Sequence, residues 1–189
     1  DDTARNGRWR PGPGLALFQA LTAAYGGEMP IIAEDLGFLS DSVRTLVRET
    51  GYPGMKVLEL AFDSRDSGAS DYLPHRIGEH CVVYTGTHDN DTILGWAATA
   101  PAADVAFARD YLKLGDRQDW NWALMDAAWQ SPAELAVMQV QDLLGLGHEA
   151  RMNTPSTLGG NWLWRLLPGE LTEDLARTVR ARMERFGRL

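Results

Sequence analysis

The sequence predicts an α/β fold built on a parallel sheet. Two observations carry that reading. Short apolar runs alternate with stretches of helical period along the chain. The runs read as strands buried on both faces, which is the mark of parallel pairing. Four such units fit either half of a (β/α)8 barrel or a small open sheet. No fixed-period repeat or low-complexity tract interrupts the pattern.

Trp9-Arg10-Pro11-Gly12-Pro13-Gly14 is a loop, and residues 15–25 (LALFQALTAAY) form the first helix. A helix ahead of the first strand, over residues 1–28, implies an earlier strand that is missing or lies outside this chain. Pro30-Ile31-Ile32-Ala33-Glu34 is the first strand, ended by Asp35-Leu36-Gly37. Ser40 is placed to cap a helix with Val43, Leu46 and Val47 on one face, which stops at Gly51-Tyr52-Pro53-Gly54. Residues 55–62 (MKVLELAF) are the second strand. A polar loop at 63–70 and a short helical stretch at 71–79 lead to the third strand, Cys81-Val82-Val83-Tyr84-Thr85. It runs into Gly86-Thr87-His88-Asp89-Asn90-Asp91-Thr92. Residues 92–99 and 101–130 read as helices within a helical insertion at 92–133, and 134–140 (ELAVMQV) as the fourth strand. The last helix, 172–186, follows a long loop; Leu171, Leu175, Val179, Met183 and Phe186 share one stripe. Its acidic start (Glu173, Asp174) and basic end (Arg180, Arg182, Arg185) suit the helix dipole.

Composition narrows the function classes. The 189 residues make one domain or a little more. With 44% hydrophobic and 23% charged residues, the chain has the material for a packed core. A net charge of −8, from 26 acidic against 18 basic residues, argues against a nucleic-acid partner. The single cysteine, Cys81, allows no intrachain disulfide and sits in an apolar run as a packing residue. No apolar run is long enough for a transmembrane helix, so no membrane partner is expected. The opening Asp1-Asp2-Thr3-Ala4-Arg5 lacks the pattern of a signal peptide, and the simplest compartment is the cytoplasm.

Active residues of parallel α/β folds follow the carboxyl ends of strands. Glu34 closes the first strand and Asp89 follows the third. A carboxyl pair at neighbouring strand ends is what acid/base work on a glycosidic bond needs. One carboxyl must hold a proton at neutral pH, and the apolar lead-in Ile31-Ile32-Ala33 is a source of desolvation for Glu34. His88 beside Asp89 offers a donor for a sugar hydroxyl. The alternative for Glu34-Asp35 is a surface strand end that caps the next turn. Asp89-Asn90-Asp91 begins like a calcium loop, but Ile93 and Leu94 stand at the fifth and sixth positions, so the pattern fails. No phosphate loop, dinucleotide fingerprint or nucleophile elbow occurs. The loop at 151–165 (RMNTPSTLGGNWLWR) is dense in amides, Arg and Trp, a mixture suited to holding sugars. Trp162 and Trp164 equally serve to pin that loop.

Five segments, in order, resemble one family: IIAEDLG at 31–37, GYPGMKVL at 51–58, YTGTHDNDT at 84–92, RMNTP at 151–155 and NWLWR at 161–165. They are similar to the 4-alpha-glucanotransferases (amylomaltases, disproportionating enzymes) of the alpha-amylase superfamily. The opening Gly7-Arg8-Trp9 adds to the likeness, which covers about residues 6–186. The resemblance implies a (β/α)8 barrel and a retaining double displacement on 1,4-alpha-glucans, with maltooligosaccharides as substrates and no cofactor or metal. It implies Glu34 as general acid/base and Asp89 as transition-state stabiliser. His88, Asp35, Asn153 and Asn161 fall on the substrate-binding side. The family nucleophile is an Asp in an R-I-D-H motif, and no R-I-D-H occurs in these 189 residues. The chain is therefore expected to be the C-terminal half of the barrel, strands five to eight, with the N-terminal half as its missing partner, and to be inactive alone. Ser156 stands where the family usually has Gly, and Leu60 where an aromatic is common. A hydrolase of the same superfamily and a non-catalytic glucan-binding fragment are the competing readings.

Overall fold

The computed structural model describes residues 4–8, 10–37, 39–66 and 68–189. The expectations at Asp1-Asp2-Thr3 and Trp9 lie outside the described residues. The chain divides into two compact units, Asp1–Gly54 and Met55–Leu189.

The first unit carries α1 (Leu15–Tyr25) and α2 (Asp41–Thr50). Ser40 caps α2 as its sequence position predicts, its Oγ accepting from the Val43 N–H at 3.4 Å. The Phe18 and Tyr52 rings meet edge to face at 5.8 Å. Residues 30–34 contain no strand, which corrects the expectation for this run. Among the described residues of the unit, one bond of the ladder kind reaches the segment, from the Ala33 N–H to the Pro53 carbonyl at 2.9 Å. A strand is defined by a run of such bonds, and one does not make it.

A three-stranded sheet, all of it in the second unit but for Gly54, has the order β1 (Gly54–Val57), β2 (Cys81–Tyr84), β3 (Leu135–Val137). Strands β2 and β3 run parallel, with Val82 opposite Leu135 and Tyr84 opposite Val137. Each strand is shorter than its apolar run. The run 55–62 leaves the sheet at a 3-10 turn, Leu58–Leu60, where the Ala61 N–H bonds the Leu58 carbonyl at 3.0 Å. The run 134–140 gives way to α6 (Val140–Leu143). At 71–79 the helical stretch is one 3-10 turn, Pro74–Arg76.

Three helices follow β2: α3 (Ile93–Thr99), α4 (Ala102–Tyr111) and α5 (Trp120–Gln130). The helical pattern at 101–130 is thus broken once. Lys113 and Gly115 adopt positive φ (52° and 56°) between α4 and α5, which a continuing helix does not allow. Phe62 is 1% exposed and sits among Trp96, Phe107 and Tyr111 at ring separations of 5.7 to 6.1 Å. Leu58, Val83, Ile93, Leu124 and Met125 complete this core. Among the described residues, Trp96, Trp120, Trp122 and Trp129 belong to or pack against it. The last helix, α7 (Glu173–Arg185), starts at Thr172, whose Oγ1 accepts from the Leu175 N–H at 3.1 Å. Arg182 ties it to α5 through Asp126 at 2.6 Å. Beyond α7, the Arg188 guanidinium donates to the carbonyls of Trp129, Ser131 and Ala133, which satisfies acceptors left over at the end of α5. Among the described residues no helix is long and apolar enough to cross a membrane.

Candidate active site

The loop after β2 folds on its own side chains. Asn90 Oδ1 accepts from the Thr87 N–H at 3.0 Å and from the Thr87 hydroxyl at 2.9 Å. The Asn90 N–H returns to the Thr87 carbonyl at 3.1 Å. An Asn in this place closes a tight turn with bonds the backbone alone lacks. The turn presents His88 and Asp89 outward, with side chains 56% and 50% exposed. Asp91 points the other way and is buried. Its Oδ1 accepts from the Thr92 N–H at 2.8 Å, and its Oδ2 lies 2.6 Å from His148 Nδ1.

The long loop at 151–165 then holds Asp89. Asn153 Nδ2 donates to Asp89 Oδ1 at 2.7 Å, and Arg151 donates to the Asp89 carbonyl at 2.7 Å. The same guanidinium bonds the Asn153 carbonyl at 2.9 Å and stands 4.0 Å from the Asp91 carboxylate. His88 Nε2 lies 3.3 Å from Asp89 Oδ1, and the His88 ring tilts over Trp162 at 5.1 Å. Asn161 works one step away: its Oδ1 accepts from the Thr154 N–H at 2.9 Å and its Nδ2 donates to Thr157 at 3.0 Å. Trp162 takes φ 63°, a left-handed conformation costly for a side chain of this size, and its N–H is fixed to the Met152 carbonyl at 2.7 Å. Half-exposed and facing His88, it offers an apolar face beside a carboxylate. Trp164 is more buried. Ser156 also sits at positive φ, 64°.

His88, Asp89, Asn153 and, through the loop brace, Asn161 therefore come together in the second unit. Glu34 and Asp35 lie in the first. Glu34 is exposed there, so the apolar lead-in does not bury its side chain. The Asp35 carboxylate packs on Gly54: a Cβ at that glycine would stand 2.5 Å from Asp35 Oδ2, and no larger residue fits without displacing it.

Sequence reading did not single out the buried acids under the Asp89 loop. Glu59, just beyond β1, is 7% exposed, and its Oε1 has no hydrogen-bond partner. Burial, with the nearby charges of Asp142 and Asp91, pushes its carboxyl up to about 9, so it is a neutral acid at pH 7. A Cβ on Gly86 would lie 2.8 Å from both Glu59 Oε1 and Gln139 Nε2, so the backbone passes directly over them. Gln139 Nε2 in turn donates to the Asp91 carbonyl at 3.0 Å. Asp142, on α6, is 1% exposed; burial raises its carboxyl to about 6, against two bonds that favour the charged form. The only signal for these residues was a charged side chain inside or just beyond an apolar strand run. Among the described residues no group of His, Cys, Asp and Glu is arranged to hold a metal ion.

The comparisons point one way. The family described as 4-alpha-glucanotransferase matches residues 1–172. A 4-alpha-glucanotransferase of Thermus thermophilus is 47% identical, over 99% of this chain and 38% of its own length. A chloroplastic/amyloplastic 4-alpha-glucanotransferase of Arabidopsis thaliana is 43% identical over 97% of this chain and 32% of its own. Among solved structures, an amylomaltase from Streptococcus agalactiae in complex with acarbose superposes with a TM-score of 0.91 at 33% identity, over 98% of this chain and 37% of that one. An amylomaltase from Corynebacterium glutamicum shares the fold, with a TM-score of 0.60 at 19% identity. The chain spans less than two-fifths of the length of these relatives.

Proposed function

This chain belongs to the 4-alpha-glucanotransferase family, and from that premise we propose that it supplies the acid/base and the stabilising carboxylate of a 1,4-alpha-glucan transferase. Residues 1–189 correspond on this reading to the C-terminal half of a (β/α)8 catalytic barrel, strands five to eight. Residues 1–28 precede the first of those strands, and 92–133 form a helical insertion. The absence of R-I-D-H assigns the nucleophile to no residue here.

In the reaction, the Glu34 carboxyl donates its proton to the glycosidic oxygen as the C–O bond breaks. A carboxylate nucleophile takes the sugar as a glycosyl-enzyme. The 4-hydroxyl of a second glucan then attacks, giving its proton to the Glu34 carboxylate. Asp89 carries negative charge against the oxocarbenium-like ring, and His88, Asp35, Asn153 and Asn161 bind its hydroxyls. The observation that supports this best is the grip of Asn153 and Arg151 on Asp89 beside the exposed face of Trp162. A preorganised carboxylate next to an apolar platform suits charge stabilisation on a sugar.

The test is maltotriose conversion by a whole 4-alpha-glucanotransferase in which these residues occupy the segment they match. Transfer yields products longer than maltotriose. Glucose and maltose alone favour the hydrolase. Maltooligosaccharide binding without turnover favours the binding fragment. The 189 residues by themselves are expected to turn over no maltotriose.

A further inference from the structure

The loop 85–93 has two stems, and one buried side chain holds both. Asp142 Oδ2 accepts from the Thr85 hydroxyl at 2.9 Å, at the end of β2. Asp142 Oδ1 accepts from the Ile93 N–H at 2.8 Å, at the start of α3. Thr85 and Ile93 are both fully buried. The carboxylate thus replaces the direct pairing that the stems, eight residues apart, do not make. Its own backbone is fixed in turn: Asn121 Nδ2, a buried side chain on α5, donates to the Asp142 carbonyl at 2.9 Å. No part of Asp142 reaches the surface where Asp89 stands.

We propose that Asp142 is a positioning residue for Asp89, a clamp across both stems of its loop that ties the height of the Asp89 carboxylate to α5 through Asn121. The proposal deepens the reading of Asp89 as stabiliser and rests on it for its catalytic meaning. The clamp itself is testable without catalysis. Two accepted hydrogen bonds to one rigid carboxylate fix the distance between the stems. The turn at Thr87–Asn90 then rides on that span, and Asn153 meets Asp89 only where the span places it.

The experiment compares amide hydrogen exchange and the Asp89 carboxyl 13C shift in the whole enzyme that carries these residues and in three variants of it. Asp142→Ala removes both bonds. Thr85→Val removes one at nearly constant shape. Asp142→Asn keeps an acceptor for the Ile93 N–H and an amide that bonds the Thr85 oxygen. Amides 86–92 are expected to exchange about tenfold faster in Thr85→Val, the effect of one lost hydrogen bond to a charged group. The Asp89 signal shifts with them, and Asp142→Asn restores both readouts. Where Asp142→Ala does not fold, Thr85→Val and Asp142→Asn decide. Unchanged exchange at 86–92 in Thr85→Val overturns the proposal. So does loosening spread evenly over β2, β3 and α5, because that is the mark of a merely structural residue. Failure of the reading shows elsewhere: Asp89→Asn then keeps glucan transfer in the whole enzyme while the exchange result stands.

Discussion

Asn153 donates its side-chain N–H to Asp89 Oδ1 at 2.7 Å across 64 residues of sequence, and so joins the loop after β2 to the loop after α6. Both side chains are partly exposed, so the bond is worth less than a buried one to a charge. Its value lies in direction: it leaves the second Asp89 oxygen oriented rather than free to rotate. Asn153→Ala is expected to lower transfer by about five- to tenfold in the whole enzyme, from a loss of roughly 1 kcal/mol. Asn153→Asp sets two carboxylates together and lowers it further, with partial recovery at acid pH as one takes a proton. Initial rates of maltotriose disproportionation check both.

Glu59 sets a pH dependence of stability. Its folded carboxyl titrates near 9, against an ordinary value of 4.5. The folded state therefore holds a proton that the unfolded state has lost. Between about pH 4.5 and 9, stability falls as pH rises, by at most about 1.4 kcal/mol per pH unit from this group. Glu59→Gln keeps a neutral group of the same shape and removes that slope. The variant is expected to be more stable than the parent at pH 8 and to converge on it toward pH 5. Urea unfolding at several pH values measures the slope, and an unchanged slope in the variant would contradict a neutral Glu59.

Helix α3 starts on a buried cap. Thr92 is fully buried, and its Oγ1 accepts from the Gly95 N–H at 3.0 Å. Thr92→Ala orphans that donor where water does not reach it, at a cost of about 1–2 kcal/mol. Thr92→Ser keeps the hydroxyl and is expected to retain most of the stability. Thermal unfolding of the three proteins compares them.

Ser156 sits at φ 64°, where a side chain is strained and glycine is not. Ser156→Gly is expected to stabilise the loop by up to about 1 kcal/mol, less the extra freedom gained by the unfolded chain. A lower melting temperature for the variant would show that the serine compensates for its backbone.

The parts of this fold that were legible in the sequence are those fixed locally. Ser40 caps its helix as expected, because a hydroxyl three residues before a free N–H does so in any context; Thr92 and Thr172 cap theirs in the same way. The apolar run at 81–84 became a strand because it pairs within the unit. The run at 30–34 is also apolar and β-branched and did not, since a strand also needs neighbours and the sequence does not show where they are. Asp89, His88 and Asn153 were marked by their motifs. Glu59 and Asp142 were not singled out, because their roles come from contacts far along the chain, as with Asp142 and Asp91 for Glu59 and Thr85 for Asp142.

Glu34 is proposed above as the proton donor of a glucan transfer. Maltotriose disproportionation by Glu34→Gln in the whole enzyme tests it most directly. Loss of a general acid that also serves as base predicts a fall of about 10²- to 10⁴-fold with the fold intact. Transfer at a near-normal rate by that variant would contradict the account.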